Sequence, residues 1–412
     1  MRRIVLALSV LLLAFAVPAT ATPGWTVGED PVDWTPHVMD GQVRAITTVG
    51  DTVVVGGDFT GVTESDGGPV RELWYLFAFS LSTGRILSFE PWLDGSVMSL
   101  EPGPGNTVYV GGRFHRVGDR DQRGITQLDL ATGQPVAEFT AAVDWGDVRG
   151  IEYTNGSLYV GGTFSAINGV KRSGLAKLDP RTGAVDAFDA RLSAPEIGRV
   201  KVEDIAVSPQ GDRLIAIGAM TEAGGDFRVQ AAMFDLTGRE PVLAPWWTDA
   251  FNRPCRAGFD TYMRAVDFAP DGSYFVIVTT GRQNSVLKLC DTASRFETYA
   301  DDEVKPTWVN HTGGDSLYAV EISDSAVYVG GHQRWMDNPY GHESAGPGAV
   351  DRPGLAALDP VSGKALDWNP TRSRGVGVRA FALTSKGLLA GSDTDELARE
   401  YHGRIGLFPG AG

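Results

Sequence analysis

The densest run of chemically capable side chains in this 412-residue chain is His332-Gln333-Arg334-Trp335-Met336-Asp337-Asn338-Pro339-Tyr340-Gly341-His342. Two imidazoles, a guanidinium, a carboxylate and two aromatic rings could move protons, hold an anion or stack on a sugar ring. The same residues could as well cover a sheet edge and satisfy loop backbone, and on sequence alone the two readings weigh the same. A second set is Ser392-Asp393-Thr394-Asp395-Glu396, followed by Tyr401 and His402. Asp393, Asp395 and Glu396 could contribute to a Ca²⁺ site, which takes about six to eight oxygens. They lack a glycine-centred calcium loop, so a solvated acidic turn is the favoured reading and no cofactor is expected. Trp246-Trp247 could stack on sugars if exposed, but packing within the fold is favoured.

These residues hang on a repeated phrase. Val53-Val54-Val55-Gly56-Gly57-Asp58-Phe59 recurs as Val108-Tyr109-Val110-Gly111-Gly112-Arg113-Phe114 and as Leu158-Tyr159-Val160-Gly161-Gly162-Thr163-Phe164. It returns as Val327-Tyr328-Val329-Gly330-Gly331-His332-Gln333, where the phenylalanine is missing and the polar run begins. Degenerate copies are Ile215-Ala216-Ile217-Gly218 and Val276-Ile277-Val278-Thr279, and a last copy ends at Gly391. Self-similarity over tens of residues marks a repeat architecture. Each unit reads as four strands: an alternating segment, the Val-Gly-Gly strand, a strand ending near Leu-Asp, and a segment rich in Phe, Trp and Pro. Asn155-Gly156 signals a tight hairpin between the first two strands, and Thr132-Gly133 and Thr182-Gly183 mark a later turn. Seven copies predict an all-β seven-bladed β-propeller with four antiparallel strands per blade, spanning residues 31–412 as one domain. Val32-Asp33-Trp34-Thr35-Pro36 resembles Leu366-Asp367-Trp368-Asn369-Pro370, so the N-terminus is expected to supply the fourth strand of the last blade.

Aligned first strands place Arg44, Met98, Arg149, Glu203, Arg264, Tyr318 and Arg379 at one equivalent position. Arg44, Arg149, Arg264 and Arg379 could make a positive channel mouth for an anion or acidic sugar. The favoured alternative is that each pairs with an acid or carbonyl on the next blade and fastens the ring.

Bulk properties bound the setting. Arg2 and Arg3, the apolar run Ile4 to Val17 and Ala19-Thr20-Ala21 read as a secretory signal peptide over residues 1–21, followed by a short leader over 22–30. No later stretch approaches the length of a membrane span. The net charge of −15 becomes two units more negative once that segment is removed, which argues against nucleic acid and anionic membranes as partners. Cys255 and Cys290 are expected to form a disulfide in an oxidising compartment, provided the segment from Phe251 to Phe259 folds down along a blade to reach Cys290 at the far end of a third strand.

The repeat resembles the secreted bacterial propellers built from delta-60-type repeats, of actinobacterial type, and more distantly the Kelch repeat with its paired glycines. The resemblance covers almost the whole chain after the signal segment. It implies fold and secretion and no catalytic residues. Kelch-like propellers include copper oxidases, with histidine and tyrosine ligands and a tyrosine crosslinked to cysteine; His332, Tyr340 and His342 lie near each other here, but the two cysteines read as paired with one another, which makes it a remote alternative. No nucleophile elbow, zinc-protease motif or phosphate loop occurs. The expectation is a secreted, monomeric, non-enzymatic module that binds a glycan or protein at the cell surface through loops between second and third strands. The alternative is a carbohydrate-active hydrolase or lyase with its site at the blade-six loop, which needs His332, Asp337 or His342 to point into a concave channel mouth, and convergence of those side chains within hydrogen-bonding reach would tell the two apart.

Overall fold

The structure, a computed structural model, describes residues 26–410 except Ala257 and Asn284. The expected signal segment, residues 1–21, lies outside the described residues, as does the leader up to residue 25. All regular secondary structure among the described residues is β-strand.

The main strands form seven up-and-down antiparallel sheets in chain order. Sheet one comprises Val43–Val49, Thr52–Gly57 and Leu76–Ser80. Sheet two comprises Val97–Pro102, Thr107–Gly112 and Ile125–Asp129. Sheet three comprises Val148–Thr154, Ser157–Gly162 and Leu175–Leu178. Sheet four comprises Lys201–Val207, Arg213–Ala219, Ala231–Asp235 and Val242–Leu243. Sheet five comprises Met263–Phe268, Tyr274–Thr279, Thr292–Glu297 and Trp308–His311. Sheet six comprises Leu317–Ile322, Val327–Gly331 and Leu355–Leu358. Sheet seven comprises Ala380–Thr384, Gly387–Gly391 and Ile405–Pro409. The turns behave as their residues dictate: Asn155 and Gly156 take φ of 48° and 71°, the pair of positive values a two-residue hairpin with right-handed twist requires.

The glycine pair has a steric cause. A Cβ on the second glycine would meet a backbone carbonyl: Gln42 O at 2.0 Å from Gly57, Ser96 O at 2.1 Å from Gly112, Asp147 O at 2.1 Å from Gly162. That carbonyl is drawn in by a β-bulge near the start of the first strand, seen in the register shifts Val43/Ala45, Val97/Ser99 and Val148/Gly150. The first glycine instead seats the residue that opens the next sheet. A Cβ there would lie 2.4 Å from Val97 Cγ1 at Gly56, 2.7 Å from Val148 Cγ1 at Gly111 and 2.8 Å from Val202 Cγ1 at Gly161. The same seat joins the last sheet to the first, where Gly391 would meet Val43 Cγ1 at 2.4 Å.

Packing follows these seats. Each first strand lies against the first strand of the next sheet, and Ala380–Thr384 lies against Val43–Val49. The core sits between neighbouring sheets; one cluster joins Val43, Val53 and Phe77 of sheet one to Leu389, Ile405 and Leu407 of sheet seven. Phe59, Phe114 and Phe164 are buried after their glycine pairs, each contributing about 1.5–3 kcal/mol by burial.

Three expectations need correction. Only sheets four and five have a regular fourth strand; in sheets one, two, three and six it is reduced to one bridge, such as Leu128 with Pro135. Residues 32–36 are likewise no strand, although Val32 N donates to Leu407 O at 2.9 Å and Gly28 N to Pro409 O at 2.7 Å beside the final strand. Finally, the Cys255–Cys290 disulfide is present with Cα atoms 5.7 Å apart, but Cys290 precedes the strand Thr292–Glu297 and does not lie at its far end. Both cysteines therefore sit on the side where second strands end, and no folding-down of the chain is needed.

Candidate functional site

The bulges decide where the aligned ring of residues points. Arg44, Met98, Arg149, Glu203, Arg264 and Tyr318 are each the bulged residue of a first strand. A bulge re-aims its side chain. Arg44 bonds Asp58 of its own sheet, Nε at 3.2 Å and Nη2 at 3.0 Å. Arg149 bonds Asp147 at 3.1 Å and reaches Glu203 of the next sheet. Among the described residues Arg264 bonds only the carbonyl of Met263, at 2.5 Å, and Arg379 lies over the Tyr318 ring, 4.2 Å from its centroid. Thus only Arg149 fastens adjoining sheets by an ion pair, and the expectation that every arginine does so is corrected. Burial pulls Arg264 and Arg379 below the ordinary arginine value, with Arg44 adding to the effect at Arg379.

Below these residues lies an axial cavity of about 220 Å³ lined by all seven first strands. It contains carboxyls that the sequence reading missed: Glu101, Glu152, Asp204, Asp267 and Glu321. All five are half-buried. Burial pushes Glu101 up to about 8 and Asp204 up to about 7, and raises Glu152, Asp267 and Glu321 as well. Four of the five accept a backbone N–H from the next sheet: Tyr153 N to Glu101 at 3.1 Å, Val266 N to Asp204 at 3.0 Å, Ile322 N to Asp267 at 2.7 Å and Leu383 N to Glu321 at 2.9 Å. The signal was legible, since Glu101, Glu152, Asp267 and Glu321 each lie three residues beyond the bulged position.

The long connection of sheet six is knitted to backbone. His332 Nε2 accepts from Ser316 N at 3.1 Å and its Nδ1 lies 3.1 Å from Val376 O, while burial lowers its pKa. Arg334 forks onto Asp315 at 2.7 and 3.1 Å and lies over Trp335. Asp337 accepts from Asn310 at 2.6 Å, and buried Asn338 spans Thr312 O and Ser344 O. Tyr340 is exposed. His342 lines a separate depression with Arg256, Arg282 and Glu343. Among the described residues no hydrogen bond joins His332, Asp337 and His342, so the convergence a hydrolase needs there is not met. Gln333 takes the buried slot of the missing phenylalanine, with neither amide atom partnered.

The acidic turn also disperses. Asp393 accepts from Val376 N at 2.5 Å and Gly377 N at 2.9 Å and pairs with Arg372, while Glu396 is exposed in a hairpin with Tyr401. Among the described residues no group of three His, Cys, Asp or Glu side chains placed to hold a metal ion occurs, at Asp393, Asp395 and Glu396 or elsewhere. His402 is buried beside Glu400. Trp246 is core, against Phe275 and Phe296, and Trp247 is half-buried against Phe227.

The sequence reading also missed a pocket of about 510 Å³ beside the arginine ring. It lies among the links entering sheets three and four and the connections leaving the second strands of sheets two and three. Arg113, Arg123, Arg149, Arg199 and Lys201 line it, against Asp147 and Glu203, with His115 and Trp145. Burial favours a neutral Asp147, but Arg149 and hydrogen bonds from Arg149, Thr163 and Arg113 hold it below the ordinary value. Both carboxylates are thereby engaged. Trp145 is half-exposed. Its signal was weak in sequence, because the cations come from four separated segments.

No family model matches the chain, and no curated protein does. Among solved structures it is similar to the computationally designed Ika8 protein, at 12% identity and a TM-score of 0.49, over 94% of this chain and 99% of that one. A likeness this slight bears on neither fold detail nor function.

Proposed function

We propose that the chain is a secreted seven-bladed β-propeller that acts as a non-enzymatic binding module, holding a glycan or a protein partner on the face where second strands end. Support for the ring comes from the successive first-strand packing, the Gly391–Val43 seat and the N-terminal segment hydrogen-bonded beside the final strand. Secretion is supported by the basic-apolar N-terminal segment and the Cys255–Cys290 disulfide.

One observation carries the binding reading. The His332, Arg334, Asp337 and Asn338 side chains of the sheet-six connection are engaged by backbone and by neighbouring side chains, whereas the same face offers an open pocket with an exposed tryptophan and two guanidiniums, Arg123 and Arg199, that no carboxylate pairs among the described residues. Catalysis needs acid and base groups converging on one reacting atom; recognition needs only a concave surface with a few fixed polar groups. A glycan array combined with product analysis tests the proposal. Retention of a glycan without cleavage is expected, and release of shorter products would overturn it.

A further inference from the structure

The pocket around Trp145 has a charge opposite to that of the molecule. The chain carries 36 basic and 51 acidic residues, yet the pocket presents five cationic side chains against two carboxylates. Those carboxylates are already used: Asp147 takes Arg113 at 3.0 Å and Arg149 at 3.1 Å, and Glu203 takes Arg149. Lys201 is drawn to Asp260. That leaves Arg123, which reaches only the carbonyl of Asp144 at 3.3 Å, and Arg199, whose nearest recorded partner is the Trp145 ring with a centroid 6.0 Å away. No carboxylate pairs with either guanidinium among the described residues. Cations gathered in a concave site on an acidic protein concentrate the local field and attract an anion.

We infer that this pocket binds an acidic sugar unit, its carboxylate or sulfate held by Arg199 and Arg123 while a pyranose face stacks on Trp145. The inference rests on the binding-module reading and names its ligand class. Guanidinium forks match the paired oxygens of carboxylate and sulfate. A half-exposed indole supplies the flat apolar surface that the C–H face of a sugar fits. The volume suits one or two sugar units and falls within the ordinary span of small-ligand sites, about 300–1,000 Å³. The four-arginine ring is a weaker anion site, since Arg44 and Arg149 are engaged by carboxylates and Arg379 by Tyr318.

The test is titration calorimetry with tetragalacturonate, a heparin-derived tetrasaccharide, neutral cellotetraose and a polyglutamate peptide. At least one acidic oligosaccharide is expected to bind about tenfold or more tighter than cellotetraose, weakening as salt is raised. Arg199→Ala and Trp145→Ala should each weaken that binding by about fivefold or more with Tm unchanged, because both side chains are exposed. Preference for galacturonate or for heparin tells carboxylate from sulfate. Equal binding of cellotetraose overturns the acidic-sugar inference and leaves the binding module standing, as does acidic binding indifferent to both variants. Polyglutamate binding as tightly as the sugars makes the partner an acidic protein and overturns it too. Binding to none of the probes overturns the inference outright, whereas cleavage of any oligosaccharide overturns the binding-module reading itself.

Discussion

Glu321 Oε1 accepts the backbone N–H of Leu383 at 2.9 Å, a bond that joins the first strands of sheets six and seven across the axial cavity wall. The same bond recurs from Tyr153 to Glu101 and from Ile322 to Asp267, in every case from the residue four beyond the aligned ring position of the next strand, Arg149, Tyr318 and, for Leu383, Arg379. A repeated side-chain clamp of this kind fixes the offset between adjoining sheets, which non-directional apolar packing leaves loose.

Burial of these carboxyls predicts stability that falls as pH rises, since it outweighs the hydrogen bonds that favour the charged form. Glu101 and Asp204 titrate at about 8 and about 7 in the fold, above the ordinary range near 4 that applies to the unfolded chain. A folded value above the unfolded one gives stability that is full below about 4 and lost as pH climbs towards about 8. Tm should be several degrees higher at pH 5 than at pH 8.5. Glu101→Gln should flatten that slope, as it keeps an acceptor and removes the charge. A Tm profile of the variant as steep as that of the parent would count against burial of Glu101 as the cause.

The second glycine of the repeat should tolerate no side chain. Gly112→Ala places a Cβ 2.1 Å from Ser96 O, a backbone atom that cannot rotate away. The expected loss is about 3 kcal/mol, the upper end of overpacking. Gly105→Ala, with open space around it but φ of 70°, should cost less, about 1 kcal/mol. Urea denaturation of the two variants measures the difference.

The disulfide closes a loop of 35 residues that contains the first two strands of sheet five, Met263–Phe268 and Tyr274–Thr279. Loop-closure entropy predicts a loss of about 3–4 kcal/mol in the Cys255→Ala, Cys290→Ala double variant. Denaturation with and without a reductant should reproduce that loss in the parent and show none in the variant.

Gln333 and its neighbours should hold water. Its amide oxygen and nitrogen are buried without partners, as are Arg372 Nε and Ser373 Oγ, around a cavity of about 30 Å³. Such a volume admits a water molecule, and the polar groups supply its bonds. A high-resolution crystal structure is expected to show one there within hydrogen-bonding distance of Gln333. An empty cavity would contradict this.

Much of the fold was legible because it repeats. Seven similar segments, turn pairs such as Asn155-Gly156 and the Val-Gly-Gly phrase located the second strands to within a residue or two. The fourth strands were over-read, since Phe-, Trp- and Pro-rich segments pack well and pair poorly. Cys290 was misplaced because the apolar stretch before it, Val286 to Leu289, resembles a strand, whereas the ladder begins at Thr292. In the site, Gln333 was flagged as a departure, but nothing local to it revealed that it fills a phenylalanine slot beside Arg372.

The sequence by itself determined the unit, its recurrence and the glycines that close most of the second strands, Thr279 standing in that place in sheet five. Those features are local, set by backbone sterics and side-chain alternation within a few residues. Tertiary structure alone decided which charges are neutralised and which remain free. Arg149, Arg199 and Lys201 are equally cationic in the sequence, yet Asp147, Glu203 and Asp260 engage two of them and leave Arg199 beside Trp145. Ion pairing depends on distances of a few ångströms between segments far apart in the chain, and only the assembled sheets set those distances.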